Sequence, residues 1–330
     1  MTKVSVVIPT FEPKEAFRHA LDSVHSQTYQ DWELIVVDDG SQCDLSWLER
    51  EFPRVRLLRQ KHLGVSVARN NGILNATGEL ISFLDHDDVW LPTKLETQVG
   101  VMSKYSQIGF SYTQLAKIDS AGVLLPGESV QAPSDRPRAD TACTLYLGEP
   151  GEDSDVSSVH RSLLHFRSRF CTPSTVMIRR SALSECGLLE PLLPFTGDYD
   201  LLIRLGSRFQ VADIHSTEVL YRVHEQNFSK HYEVCQKEIE ELIRRYEFRA
   251  RLNGDIRLLR SAKSLFRLPD RSYAAHAYDR CRTSLRDKKL REFAFHLAKA
   301  VQFDPGFVMQ SLVLFGKHRL DLNKAKLETR

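Results

Sequence analysis

The first hundred residues alternate short apolar runs with segments of helix length. The apolar runs are rich in Val and Ile and have the length of strands. Four strands are predicted, at residues 4–9, 32–39, 55–60 and 80–84. Helices are predicted between them, at residues 14–26, 45–51 and 64–77. This order indicates an α/β fold with a Rossmann-like, mostly parallel central sheet flanked by helices, because strands covered on both faces are apolar throughout.

Polar clusters stand directly after three of these predicted strands. They are Thr10-Phe11-Glu12, Asp38-Asp39-Gly40-Ser41 and Asp85-His86-Asp87-Asp88. In a parallel sheet the carboxyl ends of the strands meet at one edge, and ligands bind beyond that edge. One acidic cluster alone would be explained by a helix cap or a solvated turn. Three clusters at successive strand ends favour a common site.

The rest of the chain is less regular. A strand and a hairpin are predicted within residues 111–126, a long loop over 126–155, and a strand over 174–180. A helix over 198–208 and a strand over 216–224 follow. From about Tyr232 the spacing is helical, so we predict an α/β domain at 1–230 and a C-terminal helical region at 231–330.

Composition and charge narrow the class of protein. The chain is 42% apolar and 27% charged, as is usual for globular proteins, and its six cysteines form no CxxC pair. No run approaches the ~20 apolar residues that span a bilayer. Residues 255–330 carry 17 Lys and Arg against 8 Asp and Glu. We expect a cytoplasmic protein without a nucleic-acid partner, whose basic C-terminal helices either contact an anionic membrane surface or are simply solvated.

Six ordered segments resemble glycosyltransferase family 2, whose members have the GT-A fold. The resemblance spans residues 4–229 and rests on VSVVIPTFE, VVDDGS, GVSVARNNGI, GELISFLDHDDVW, GDYDLLIRL and YRVHEQNFS. It implies transfer of a sugar from a nucleoside diphosphate sugar, foremost a UDP-sugar, to a hydroxyl of a saccharide or lipid-linked acceptor. It also implies a role in polysaccharide or glycoconjugate biosynthesis.

The same resemblance assigns donor contacts to residues at the strand ends. It implies that Phe11 presents its ring to the base, that Asp39 accepts the imide N–H of uracil, and that Arg69 contacts the pyrophosphate or braces the acids. A core aromatic, a turn residue and a salt bridge are the structural alternatives. The full set implied for the nucleotide sugar is Pro9, Thr10, Phe11, Glu12, Asp39, Arg69, Asp85 and His224.

The metal and the general base are also implied by the resemblance. Asp87 is the implied ligand of Mn²⁺ or Mg²⁺, and His224 lies where family members place a histidine near the metal or diphosphate. Asp88 either supports the site from behind or supplies charge at a helix entry near Pro92.

Asp198 matches the position of the general base in a single, inverting displacement, with helix capping as its structural alternative. The family segment often reads Glu-Asp-Tyr-Asp, and here Gly197 replaces the first acid. Arg222 is a weaker candidate for contact with phosphate.

Four other classes of protein compete with this interpretation. A nucleotidyltransferase can share a related sheet and acidic metal site, but the segment PTFEPKEAF is not the Gly-rich basic loop that holds a triphosphate. A dehydrogenase or P-loop NTPase lacks its glycine motif here. A nucleotide-sugar-binding protein that has lost catalysis would not be expected to keep Asp87, Asp198 and His224 together.

Overall fold

The computed structural model describes residues 2–130, 143–146, 172–225, 227 and 232–252. All of them lie in one compact unit, Met1–Leu258. The basic segment 255–330 and the end of YRVHEQNFS fall outside the described residues. The predicted domain boundary after residue 230 stays a prediction, although the helix that begins at Tyr232 belongs to the same unit as the residues before it.

Nine strands and seven helices make up this unit within the described residues. The strands are β1 Val4–Thr10, β2 Trp32–Asp38, β3 Val55–Arg59, β4 Leu80–Phe83, β5 Val89–Trp90, β6 Ile108–Ile118, β7 Cys143–Tyr146, β8 Val176–Arg179 and β9 Gln210–Arg222. The helices are α1 Ala16–His25, α2 Trp47–Glu51, α3 Val65–Asn75, α4 Lys94–Lys104, α5 Arg180–Cys186, α6 Gly197–Gly206 and α7 Tyr232–Leu252. None of these helices is both long and apolar enough to cross a membrane.

The strands form one mixed sheet in the order β3-β2-β1-β4-β8-β6-β9-β5, and β7 also pairs with β9. The pairs β1–β2, β1–β4, β2–β3 and β6–β9 are parallel. The remaining pairs are antiparallel. The predicted sheet is therefore confirmed, and the order β3-β2-β1-β4 brings the ends of β1, β2 and β4 to one edge.

Some predicted elements differ from the structure. The four N-terminal strands and the three helices between them are present, with ends shifted by at most two residues. The predicted loop over 126–155 contains β7, whose register against β9 runs from Cys143 opposite Ile214 to Tyr146 opposite Val211. The sequence pattern missed β5 and α5, which are short, and indicated α4 only as a helix that begins near Pro92.

The sheet is apolar on both faces because helices cover both. Along β1, Val6 and Ile8 point into a core that α1, α2 and α4 share. Val7 points to the opposite face, against α3, α5 and α6. This alternation follows from the two-residue repeat of a strand, and it explains why every position of the first strand is buried.

Helix α3 lies unusually close to β1, and Gly72 permits that approach. A Cβ at Gly72 would overlap the side chain of Val7. The helix therefore sits at a fixed distance from the strand whose end carries Thr10, and Arg69 is held on the same helix, one turn earlier.

We predict that Gly72→Ala destabilises the fold, whereas Gly100→Ala does not. The first substitution overpacks the α3–β1 contact at a cost of about 1–3 kcal/mol, partly offset by the better helix propensity of Ala. Nothing lies within 4 Å of a Cβ at Gly100, which is exposed on α4, so Ala should stabilise there by about 0.5–1 kcal/mol. Chemical denaturation of both variants measures the difference. Equal stability of the two variants would contradict the proposed close contact.

Candidate active site

The acidic turn that follows β4, residues 85–88, is the most highly charged part of the sheet edge. Its exposed acids pair with different elements. Arg69 Nη2 on α3 donates to Asp85 Oδ1 at 2.6 Å. His224, just after β9, places Nε2 at 2.8 Å from Asp87 Oδ2. Both acids are about a quarter exposed, so a ligand arriving from solvent can reach them.

Asp88 differs from its neighbours because it is fully buried. Its carboxylate accepts hydrogen bonds from Ser174 Oγ at 2.6 Å and from the backbone N–H of Arg222 at 3.0 Å. Burial and the nearby charges of Asp87 and Asp85 raise its pKa well above the usual range. Asp88 thus ties the acidic turn to the segment before β8 and to β9. It does not charge a helix entry, since α4 begins only at Lys94.

Arg222, at the end of β9, also holds the acidic turn in place. Its Nε donates to the backbone carbonyl of Asp87 at 2.8 Å, and its Nη1 donates to the carbonyls of Asp119 and Ser120. The side chain is buried. Its guanidinium therefore fixes backbone, which leaves it poorly placed for the phosphate contact that the sequence suggested.

Asp39, at the end of β2, closes the loop that follows β3. Its Oδ1 accepts hydrogen bonds from Gln60 Nε2 at 2.7 Å and from the N–H of Leu63 at 2.9 Å. Its Oδ2 accepts the N–H of Gly64 at 2.9 Å and lies 2.9 Å from His62 Nδ1. The carboxylate is nearly buried, and these contacts fix its orientation at the sheet edge.

Phe11 is an exposed aromatic at the same edge. Its ring is 41% exposed and stacks on His62, with ring centroids 4.1 Å apart. The sequence reasoning missed His62. The strand-end rule would have found it, because His62 follows β3 as the polar clusters follow β1, β2 and β4.

Glu12 and Pro9 were also predicted to contact the nucleotide sugar. Glu12 has a left-handed backbone with φ of 44°. Its N–H donates to Ser41 Oγ, and its Oε1 accepts the N–H of Gln42, so the loops after β1 and β2 are joined. Pro9 lies within β1 opposite Val37 and is buried.

Two buried polar groups at this edge have no hydrogen-bond partner among the described residues. They are the hydroxyl of Thr10 and the Nε of Arg69. A buried group left unpaired costs about 1–3 kcal/mol. Both belong to residues that the sequence analysis assigned to the nucleotide sugar, and a bound ligand would satisfy them.

Asp198 stands in the first turn of α6, as predicted. Its Oδ1 accepts the N–H of Tyr199 at 2.8 Å. Burial raises its pKa, Arg69 counteracts that rise, and Asp85 adds to it. Asp198 thus lies within the electrostatic reach of the Arg69–Asp85 ion pair, more than a hundred residues away in sequence.

Helix α3 also fixes the segment that leads into α6. Asn70 binds the backbone of Leu189 in both directions, through its Nδ2 at 2.8 Å and its Oδ1 at 3.0 Å. Ser66 Oγ donates to the carbonyl of Leu193 at 3.3 Å. The contacts of Asn70 and Ser66 with this segment were not predicted. Their neighbour Arg69 therefore reaches the acidic turn while they hold the approach to Asp198.

The close packing of α3 against the start of α6 favours glycine at position 197. A Cβ there would lie 2.8 Å from Ser66 Oγ and 3.2 Å from the carbonyl oxygen of Glu190. The close approach of α3 to α6 leaves no room for the longer acid that the family segment often has.

The described residues contain no group of three or more His, Cys, Asp and Glu side chains that could hold a metal ion. Asp87 and His224 form a pair only. The predicted residues are nonetheless gathered at one edge of the sheet, on the loops after β1, β2, β4 and β9 and on α3 and α6.

Comparison with known proteins places this arrangement in a family. The model of glycosyl transferase family 2 matches residues 5–187. An uncharacterized glycosyltransferase of Rickettsia felis is 40% identical over 247 residues, which are 70% of this chain and 36% of that protein. The UDP-Glc:alpha-D-GlcNAc-diphosphoundecaprenol beta-1,3-glucosyltransferase WfgD of Escherichia coli is 35% identical over 124 residues, or 37% of this chain and 49% of that enzyme.

Solved structures show the same fold. S. aureus TarS 1-349 in complex with UDP-GlcNAc matches with a TM-score of 0.53 and 13% identity, over 91% of this chain and 92% of that one. The predicted GT-A type architecture is thereby confirmed. The chain spans only 36% to 64% of the length of the Rickettsia felis and Rickettsia prowazekii relatives. Because the family model covers more than half of its residues, the chain belongs to glycosyltransferase family 2.

Proposed function

We propose that this chain transfers a sugar from a UDP-sugar to an acceptor hydroxyl. The observation that carries the proposal is the pairing of Asp85 with Arg69 and of Asp87 with His224 at the carboxyl edge of the sheet. The Arg69–Asp85 pair lies within electrostatic reach of Asp198. WfgD is named for a UDP-glucose donor, and TarS was solved with UDP-GlcNAc, which supports a UDP-sugar here.

The two unpartnered groups support a donor at this edge. Thr10 Oγ1 and Arg69 Nε are buried and unpaired in the described residues, and oxygens of a nucleotide sugar would accept from both. Arg69 already donates a hydrogen bond to Asp85 through its Nη2. Its free Nε then stabilises a phosphate without giving up that ion pair.

Phe11, His62 and Asp39 suit the base. Asp39 accepts hydrogen bonds from two backbone N–H groups, which fix its orientation. Its carboxylate also contacts Nδ1 of the exposed His62. An imide N–H of uracil would take the place of His62 Nδ1 at the carboxylate. The base would then replace the His62 ring as the stacking partner of Phe11.

Asp87 and His224 fit a divalent metal. Two neighbouring ligands in an octahedral Mg²⁺ site, each at about 2.1 Å, lie roughly 3 Å apart, and Asp87 Oδ2 and His224 Nε2 are 2.8 Å apart. Such ions are commonly held by one or two side chains together with substrate phosphates. When bound, Mn²⁺ or Mg²⁺ neutralises charge on the departing diphosphate. Arg222 and Asp88 hold the turn that carries Asp87.

Asp198 is the proposed general base. The acceptor hydroxyl must lose a proton as it attacks the anomeric carbon. Burial raises the pKa of Asp198, which makes its carboxylate a stronger base than a solvated aspartate. Membership in glycosyltransferase family 2 favours a single displacement that inverts the anomeric centre, with Asp198 as its base.

The acceptor is proposed to be a saccharide, free or attached to a lipid. WfgD is named for an acceptor linked to diphosphoundecaprenol, which favours a lipid-linked saccharide in polysaccharide or glycoconjugate biosynthesis. This assignment concerns the whole protein, of which the described residues supply the donor site and the base.

We expect Asp198→Asn to lower turnover roughly 10²- to 10⁴-fold, because the amide cannot take the proton of the acceptor. Release of UDP from a panel of UDP-sugars, with saccharide acceptors and Mn²⁺, is the measurement. Asp22→Asn, at an exposed site on α1, is the matched control and should keep wild-type turnover. Wild-type turnover in Asp198→Asn would remove the general base from the mechanism.

The pH profile should show the raised pKa of Asp198. Turnover is lost as the pH falls through that pKa, since the protonated acid cannot act as base. The acidic limb should therefore lie above the pKa of about 3.9 of a solvated aspartate. Initial rates at saturating donor, measured from pH 4 to 8 with circular dichroism to confirm folding, test this. A limb at or below the solvated value would contradict the effect of burial.

Asp87→Asn and His224→Ala should abolish the part of nucleotide affinity that depends on metal. Calorimetric titration of UDP with and without Mn²⁺ separates that part from the rest. The wild type should bind more tightly with Mn²⁺, whereas either variant should bind equally in both conditions. Asp22→Asn again serves as control. An undiminished effect of Mn²⁺ in both variants would place the metal elsewhere.

The rival function is nucleotidyl transfer, which would release pyrophosphate from a nucleoside triphosphate. Assaying pyrophosphate from UTP and sugar 1-phosphates beside UDP from UDP-sugars separates the two activities. We expect UDP release only. Binding of UDP-sugars without any turnover would instead indicate the protein that has lost catalysis.

A further inference from the structure

Glu238, on the C-terminal helix α7, makes an unusual set of contacts with the residues before Asp198. Its Oε2 accepts hydrogen bonds from the N–H of Phe195 at 3.0 Å, the N–H of Thr196 at 2.9 Å and the hydroxyl of Thr196 at 2.9 Å. All three donors meet one carboxylate oxygen. These two residues come immediately before Gly197, where α6 begins.

Helix α6 has no side-chain cap of its own. Thr196 occupies the N-cap position, but it does not cap the helix with its hydroxyl, which is bound to Glu238 instead. The helix dipole favours negative charge near the N-terminus of a helix, and the first turn of α6 already carries Asp198 and Asp200. Glu238 adds a further carboxylate from a separate element, more than forty residues later in the chain, and it binds the two residues that precede the helix.

The carboxylates of Glu238 and Asp198 both act electrostatically on the thiol of Cys235. Burial, followed by Glu238 and then Asp198, raises the pKa of the Cys235 thiol to about 11. Cys235 precedes Glu238 by nearly one turn of α7. Because both acids act on one thiol, the Glu238 carboxylate and the proposed base Asp198 both lie near the start of α6.

Helix α7 is seated firmly enough to hold this contact. Leu242, Ile243 and Tyr246 are buried on one face, one and two turns after Glu238. Arg245 lies 3.8 Å from the carboxylate of Glu190, in the segment that leads to α6. The contact between α7 and this segment therefore has apolar packing beside the hydrogen bonds.

We propose that Glu238 is a positioning residue for Asp198, acting by holding the first turn of α6 in place. The inference rests on the proposed function, because it assumes that Asp198 is the base. Glu238 contacts neither base nor substrate in this role. It makes helix α7 a part of the active centre, although the sequence pattern assigned that helix to a separate C-terminal region.

The hydrogen bonds themselves are tested by amide hydrogen exchange on the full chain. In Glu238→Gln, peptides that cover residues 195–199 should exchange faster, because the amide oxygen is a weaker acceptor without charge. Peptides that cover 80–90 should be unchanged. Glu241→Gln is the matched control on the same helix, since Glu241 is exposed and pairs only with Arg245 among the contacts described. Unchanged exchange over 195–199 would overturn the proposal.

Kinetics test the positioning role. Release of UDP from UDP-glucose and UDP-GlcNAc with Mn²⁺ gives kcat and the donor KM. We expect Glu238→Gln to lower kcat on the order of tenfold, because small displacements of a catalytic group are costly. The donor KM should stay within about twofold, since the acidic turn is untouched. Thr196→Val, which removes one of the three donors, should give a smaller loss in kcat.

A double variant separates positioning from general stabilisation. If Glu238 acts through Asp198, the variant Asp198→Asn/Glu238→Gln should be no slower than Asp198→Asn alone. A further tenfold loss in the double variant would overturn the positioning role. So would wild-type kcat in Glu238→Gln when Asp198→Asn is inactive, an outcome that leaves the proposed function intact. Full activity of Asp198→Asn would overturn the base and the positioning role together.

Discussion

The structure depends on how three acids at the tip of one strand are kept together. Like charges at neighbouring positions repel, and burial makes that repulsion stronger. The acidic turn after β4 is stable because each acid has its own partner on another element: Asp85 has Arg69, Asp87 has His224, and Asp88 has Ser174. These partners stand 16, 137 and 86 positions away in the sequence. Folding of the sheet is therefore a precondition for forming the site.

The order of the strands explains how these partners arrive. β8 lies directly beside β4, so the segment before it brings Ser174 to the acidic turn. β9 pairs with β5, the short strand that begins after Asp88, and its end carries Arg222 and His224. On the other side, α3 packs on β1 through Gly72 and presents Arg69. The mixed, partly antiparallel half of the sheet thus serves to complete the charge pairs of the parallel half.

The sequence revealed those features that are local. A buried apolar run followed by acids identifies the end of a strand, and the parallel order predicts that several such ends meet. It therefore placed Thr10, Asp39 and Asp87 at one edge. The resemblance to glycosyltransferase family 2 added Asp198 and separated Asp87 from Asp88, and the structure shows that Asp88 is buried and tied to Ser174.

The residues that the sequence missed act through distant contacts. Asn70, Ser174 and Glu238 have ordinary side chains in ordinary surroundings, and their roles arise from backbone groups 119, 89 and 42 positions away. No spacing rule predicts such contacts, because they depend on which loops the sheet order brings together. The same reason explains Arg222, whose partners are carbonyl groups of a turn and of a hairpin.

In the first turn of α6, Gly197 departs from the family segment, and a residue of another helix contributes to this region. The family segment often has an acid before the aspartate, which would put negative charge near the positive end of the helix dipole. Here Gly197 stands at that position, because α3 approaches so closely that a Cβ would meet Ser66 Oγ at 2.8 Å. The first turn keeps the negative charges of Asp198 and Asp200, and α7 adds Glu238, which binds the two residues before the helix. The close α3–α6 contact and the carboxylate from the C-terminal helix thus both help to position Asp198.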